Sequence, residues 1–255
     1  MLEPFLVSQV FAFFLIFCRV GSGIMILPAF GETYVPPQIR LAFAFMLSLL
    51  LVPVVGKVIP PLPSTPLALT VLVASEILTG LFIGTICNIL ISATHVAGMI
   101  FSFQSGMSSA VIFDVTQSSQ GSLIGNFMGL LALVLIFAAD LHHLMLRGIT
   151  DSYLVFLPGN WPPIGDFMET AARTVSDTFI IATQISTPLI VVGTLLFLGA
   201  GILSRLMPTM QVFFVLIPPQ LLISFFVITT TFSGIMLWYM EFYREKLMTI
   251  FSYVK

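Results

Sequence analysis

The chain has 255 residues, 58% of them hydrophobic and only 8% charged, with a net charge of −2. A soluble domain carries about 25% charged residues, so this composition excludes a water-soluble fold and predicts an all-α integral membrane protein in contact with lipid. It contains no basic block, which argues against nucleic acid as a partner.

Apolar runs of about 20 residues can cross roughly 30 Å of hydrocarbon. Six such runs are predicted, at about 5–30, 38–56, 67–97, 122–147, 179–203 and 211–240. The first is preceded by Glu3 without Lys or Arg and is followed by no small-residue cleavage site, so it is read as a retained helix. It carries Arg19, then Gly21, Ser22 and Gly23, and leads into the turn FGETYVPPQIR. The second ends in KVIPPLPSTP, whose prolines make a stiff connector. In the third, Glu76, Gly80 and Gly84 recur at intervals of four and share one helix face. Small residues on such a face admit a second backbone at close range. Cys18 and Cys87 lie inside apolar runs with no paired spacing and are read as packing residues.

The stretch FSFQSGMSSAVIFDVTQSSQGS, residues 101–122, is unlike its surroundings. It is Ser-, Gln- and Gly-rich, has one charge at Asp114, and is hemmed by Met99, Phe103, Met107, Phe113 and Met128. Bare polar backbone has no partner in hydrocarbon, so a segment of this kind either lines or stoppers a protein cavity, or is a long loop folded over the protein's own surface.

The fourth run ends near Asp140, His142, His143 and Arg147. Between it and the fifth lies the longest hydrophilic region, where Phe167, Met168, Ala171, Ala172, Val175 and Phe179 recur at helical spacing. An amphipathic helix at the interface is expected there. Runs five and six flank GILSRLMPTMQVFF as a helical hairpin, and Pro188 and Pro218-Pro219 fall inside them, predicting bent or broken helices. Trp238, Tyr239 and Tyr243 mark an interface belt. Lys57, Arg147, Arg173, Arg244, Lys246 and Lys255 fall on the side shared by both termini, against Arg40 and Arg205 on the other; this bias favours a cytoplasmic C-terminus.

Arg19, Glu76 and Arg205 are charges at or within apolar runs. Each costs about 2.5–3.5 kcal/mol to insert unless paired or wetted, so pairing of Glu76 with Arg19 or with Arg205 is expected, as helix or subunit packing. Asp140, His142 and His143 resemble a metal or proton-relay cluster. On a regular helix, however, the two histidines point about 100° apart, and zinc asks for three or four ligands. No metal is expected on that ground, and the cluster is read as a helix end meeting headgroups or a neighbouring subunit. The chain has no Ser-His-Asp order, HExxH helix, CxxC pair or phosphate-binding Gly loop, so neither catalysis nor a cofactor is expected.

Four features together resemble the FliR family of flagellar export-gate proteins, whose virulence counterpart is the SctT subunit of type III secretion systems. They are CRVGSGIMILPAFGETYVPPQIR, Glu76-x-x-x-Gly80-x-x-x-Gly84, Gln104-x-Gly106 with Phe113-Asp114, and GILSRLMPTMQVFF. One departure is Leu216-Ile217-Pro218-Pro219, where the family has a small residue before a single proline.

The resemblance implies a core subunit of the type III export gate. It joins FliP and FliQ in a cone of hydrophobic helices through which unfolded polypeptides leave, with FlhB and FlhA nearby, in the inner membrane at the flagellar basal body. It implies a FliP-like part at 1–178, with a plug loop at about 101–121, and a FliQ-like hairpin and tail at 179–255. The plug or seal then falls on Gly106, Met107, Ser108, Ser109, Phe113 and Asp114. Other expectations stay open: an injectisome subunit, a scaffold that does not line the channel, or a small-molecule transporter with broken helices around a midplane site.

Overall fold

The computed structural model describes residues 2–107, 122–209 and 211–252. Every regular element among them is a helix: α1 (Leu2–Ile26), α2 (Pro37–Val55), α3 (Pro66–Gln104), α4 (Leu123–Ala138), α5 (Leu141–Val155), α6 (Ile164–Leu206) and α7 (Val212–Ser252). Five are long and apolar enough to cross a membrane, and the broken pair α4/α5 makes a sixth span if counted as one. This is the all-α membrane architecture that the composition demands.

Helix starts follow the prolines. α2 begins directly after Pro36, with Pro37 at its first position, where a missing N–H costs nothing. α3 begins at Pro66, and Thr65 Oγ1 accepts from the Ala68 N–H at 3.4 Å, the usual device for a free helical donor. Between α1 and α2, Arg40 donates to the Val35 and Gly31 carbonyls, both at 3.0 Å, and so ties the turn to the helix that follows it.

The interior prolines, read in the sequence as bends or breaks, break neither helix. α6 runs unbroken through Pro188, and α7 through Pro218 and Pro219. Each proline deletes one i→i−4 bond, and neighbouring bonds keep the helix in register. The break in a span falls instead at Asp140, a non-glycine residue with φ 57° and ψ 17°. Nor is there a separate interfacial helix after residue 163: residues 164–178 are the opening turns of the 43-residue α6.

The chain forms two compact units. The first comprises residues 1–90, 136–175 and 244–255. Its core runs along one face of α1, at Ile16, Val20 and Ile24, against Ala44, Leu51 and Val55 of α2, Ile83 of α3, and Ile149 and Tyr153 of α5. Half of the apolar window of α1 is buried, against 17% for α6 and α7, so α1 is a core helix. The second unit comprises residues 91–135 and 176–243. It buries Ala93, Ala97 and Phe101 of α3, Met128 and Ala132 of α4, Ile181, Ile185 and Leu189 of α6, and Met236 and Tyr239 of α7.

Lipid tails are as apolar as leucine, so helices in a bilayer are held by close packing and polar contacts more than by the hydrophobic effect. The glycines supply the first. A Cβ on Gly80 would strike the Arg19 carbonyl and Ser22 Oγ, and one on Gly84 would meet the Gly23 carbonyl at 2.8 Å. The backbone admitted by the Glu76-Gly80-Gly84 face is therefore α1. In the second unit, Gly98 of α3 and Gly125 of α4 meet in the same way, and His95 lies over Gly129.

Candidate functional site

The Glu76 face that brings α1 against α3 also brings two opposite charges together. Arg19 Nε donates to Glu76 Oε2 at 2.7 Å and Nη2 to Oε1 at 2.9 Å, a two-pronged pair with both side chains 1% exposed. Two of the remaining donors are also engaged. Nη2 reaches the Phe156 carbonyl at 2.9 Å, and Nη1 reaches Ser152 Oγ at 3.2 Å. Ser152 in turn donates to the Ile149 carbonyl at 2.6 Å. The Tyr153 ring lies 4.0 Å from the guanidinium carbon, a cation–π contact. Four of the five guanidinium N–H groups thus have partners.

Such a cluster holds three helices in one arrangement and cannot lose a single member cheaply. Stripping one partner from a buried ion pair leaves an uncompensated charge, at a cost of about 3–5 kcal/mol. A cleft of about 330 Å³ opens beside the pair, bordered by Thr79, Asn160, Trp161 and Asp166. Arg205, the other cation weighed for Glu76, is exposed and belongs to no ion pair among the described residues.

The second unit carries the feet of the Ser- and Gln-rich stretch. α3 ends at Gln104, and the chain turns at Gly106, which is buried with φ +77°. L-residues with a side chain rarely adopt that region. The Gln104 carbonyl accepts from Gln220 Nε2 at 2.7 Å, and the Gln220 amide would lie 3.4 Å from a Cβ on Gly106. Gly193 of α6 lies against the Gln104 side-chain oxygen. At the other foot, Ser122 Oγ is 2.6 Å from Ser102 Oγ, donates to the Gly98 carbonyl at 3.0 Å and accepts from the Gly125 N–H at 2.9 Å. Met107 is half-buried. Ser108, Ser109, Phe113 and Asp114 lie outside the described residues.

Four residues of these clusters escaped the sequence reading. Ser152 and Tyr153 stand in a region classed as hydrophilic, although their i, i+3 and i+4 spacing from Ile149 places a buried helix face there. Gln220 follows two prolines and is the only Gln or Asn in α7, a signal in itself, because an amide in an apolar helix needs a partner. Ser122 is a plain N-cap residue ahead of an apolar run.

The family described as bacterial export proteins, family 1, matches residues 10–245. The flagellar biosynthetic protein FliR of Caulobacter vibrioides is 34% identical over 239 residues, which cover 94% of this chain and 95% of the relative. This chain belongs to the FliR family. FliR of Bacillus subtilis is 33% identical, covering 88% of this chain and 87% of its own, and FliR of Aquifex aeolicus is 26% identical, covering 91% and 90%. The FliR-family match takes in both clusters, from Arg19 and Glu76 through Gln104 and Gly106 to Gln220.

Proposed function

We propose that the chain is a core subunit of the flagellar type III protein export gate, assembled with FliP- and FliQ-type subunits around a channel for unfolded polypeptides. One observation supports the reading alongside family membership. α6 and α7 leave Leu195, Leu198, Ile202, Phe214, Leu222 and Phe226 exposed, a quantity of apolar surface that suits neighbouring helices as well as lipid. In this reading, residues 1–178 are the FliP-like part and 179–255 the FliQ-like hairpin and tail, with FlhB and FlhA as neighbours. The site is the bacterial inner membrane at the basal body, with the C-terminus in the cytoplasm. The seal is formed by Gly106, Met107, Ser108, Ser109, Phe113 and Asp114, and Arg19, Glu76 and Arg205 serve packing. The flagellar assignment over the injectisome rests on the relatives, which are flagellar biosynthetic proteins.

The test is co-purification of a tagged copy from its native cell in mild detergent, with the intact mass of the product. One defined assembly containing FliP- and FliQ-type subunits is expected. A lone monomer or homodimer that survives gentler extraction would falsify the gate reading and return the transporter alternative.

A further inference from the structure

The corner between α4 and α5 holds a group of side chains that the export reading leaves unused. Asp140 is the N-cap of α5, yet its carboxylate makes no capping bond, although capping is the ordinary work of an aspartate there. Its Oδ1 instead stands 3.5 Å from His143 Nδ1. The rings of His142 and His143 have their centroids 4.0 Å apart. His142 Nδ1 is shut off from solvent with no hydrogen-bond partner among the described residues. One donor atom from each of Asp140, His142 and His143 lies within 4.8 Å of the other two.

On a regular helix the two histidines would diverge, and zinc asks for three or four ligands. Here the left-handed Asp140 begins the helix afresh, and the aspartate and both histidines gather at its first turn. We propose that Asp140, His142 and His143 form a surface site for a divalent transition cation of the zinc class, completed by water. Imidazole nitrogen and carboxylate oxygen bind zinc at about 2.0–2.2 Å, and two ligands of a tetrahedral ion then stand roughly 3.4 Å apart. Asp140 and His143 already have that separation, and the third donor closes on the ion by a side-chain rotation. Two of the ligands are largely uncovered in the chain, with side-chain exposures of 79% for Asp140 and 71% for His143, which leaves an open position for a fourth ligand such as water. A bound ion would chelate across the residue at which the span breaks, stapling the corner. No chemistry on a substrate is implied.

The probe is Zn²⁺ itself, with Co²⁺ as its spectroscopic substitute. The detergent-solubilised assembly, purified through a histidine-free tag and stripped with a chelator, is titrated with Zn²⁺ against a chromophoric competitor. One saturable equivalent per copy of this chain is expected, together with the intense visible Co²⁺ bands of a low-coordinate site. His143→Gln and Asp140→Asn, both at exposed side chains, should each weaken that equivalent by roughly tenfold or more. Arg147→Gln, at an exposed residue outside the cluster, should leave it in place. Recovery of the assembly on a sizing column shows that each variant is intact. Zn²⁺ stoichiometry and Co²⁺ spectra that are the same in wild type, His143→Gln and Asp140→Asn would overturn the proposal.

Discussion

Arg19 of α1 and Glu76 of α3, separated by 57 residues in the chain, meet as a two-pronged ion pair sealed from solvent. Removing either charge alone should cost about 3–5 kcal/mol, since the survivor is left buried and unpaired. Replacing both together with leucine should recover much of that loss, because well-packed apolar residues often match a buried pair. Thermal unfolding of the detergent-solubilised protein reads the comparison. Single variants as stable as wild type would remove the pair from the account of the fold.

Gly80→Ala should be far more harmful than Gly165→Ala. The first drives a methyl into the Arg19 carbonyl and Ser22 Oγ, whereas a Cβ on the second meets no described residue within 4 Å. Gly165 is helical, so alanine there should be neutral or stabilising by up to about 1 kcal/mol. Resistance to limited proteolysis in detergent gives the order, and equal effects at the two positions would refute the close α1–α3 approach.

Tyr153→Phe should be harmless or mildly stabilising. The hydroxyl is enclosed with no hydrogen-bond partner among the described residues, and deleting a buried unsatisfied group removes a penalty of about 1–3 kcal/mol. The ring stays over Arg19. A marked loss of stability in the same unfolding assay would mean that the hydroxyl has a partner in the assembly.

At Gly106 the predicted order is Gly, then Asn, then Val. The residue sits at φ +77°, which asparagine tolerates and a β-branched residue does not. If the seal is where we propose, ion leakage through the assembled gate should rise along that series, and Gln220→Leu, which strips the donor from the Gln104 carbonyl, should raise it too. Leakage that is flat across assembled variants would argue that this turn has no part in closure.

The Glu76, Gly80 and Gly84 face was legible because a period near 3.6 with small residues has one physical meaning in a membrane helix. Its partner was not, since Glu76 had two cations to choose from and pairing across 57 residues leaves no local trace. Ser152 and Tyr153 were hidden by hydropathy, which scores their segment as polar although its inner face is buried. The prolines pointed to breaks that are not there. Each deletes a single backbone bond, and a long helix with its other bonds intact carries on, while the span breaks at an aspartate whose left-handed backbone has no marker in the sequence as plain as a glycine. The 101–122 stretch stood out by composition alone, and what the structure adds there is its two feet, at Gln104 and Ser122.

The ion pair also sets an order of events during synthesis. Arg19 leaves the ribosome 57 residues ahead of Glu76, an interval of roughly 3–11 s at about 5–20 residues per second. Throughout that time α1 carries a lone cation that hydrocarbon resists, so its stable insertion is expected only once α3 arrives. The first helix therefore enters as cargo of the third. Nascent chains arrested before residue 76 should leave α1 extractable by alkaline carbonate, and those arrested well beyond it should not. An α1 equally resistant at both lengths would mean that it commits to the bilayer alone.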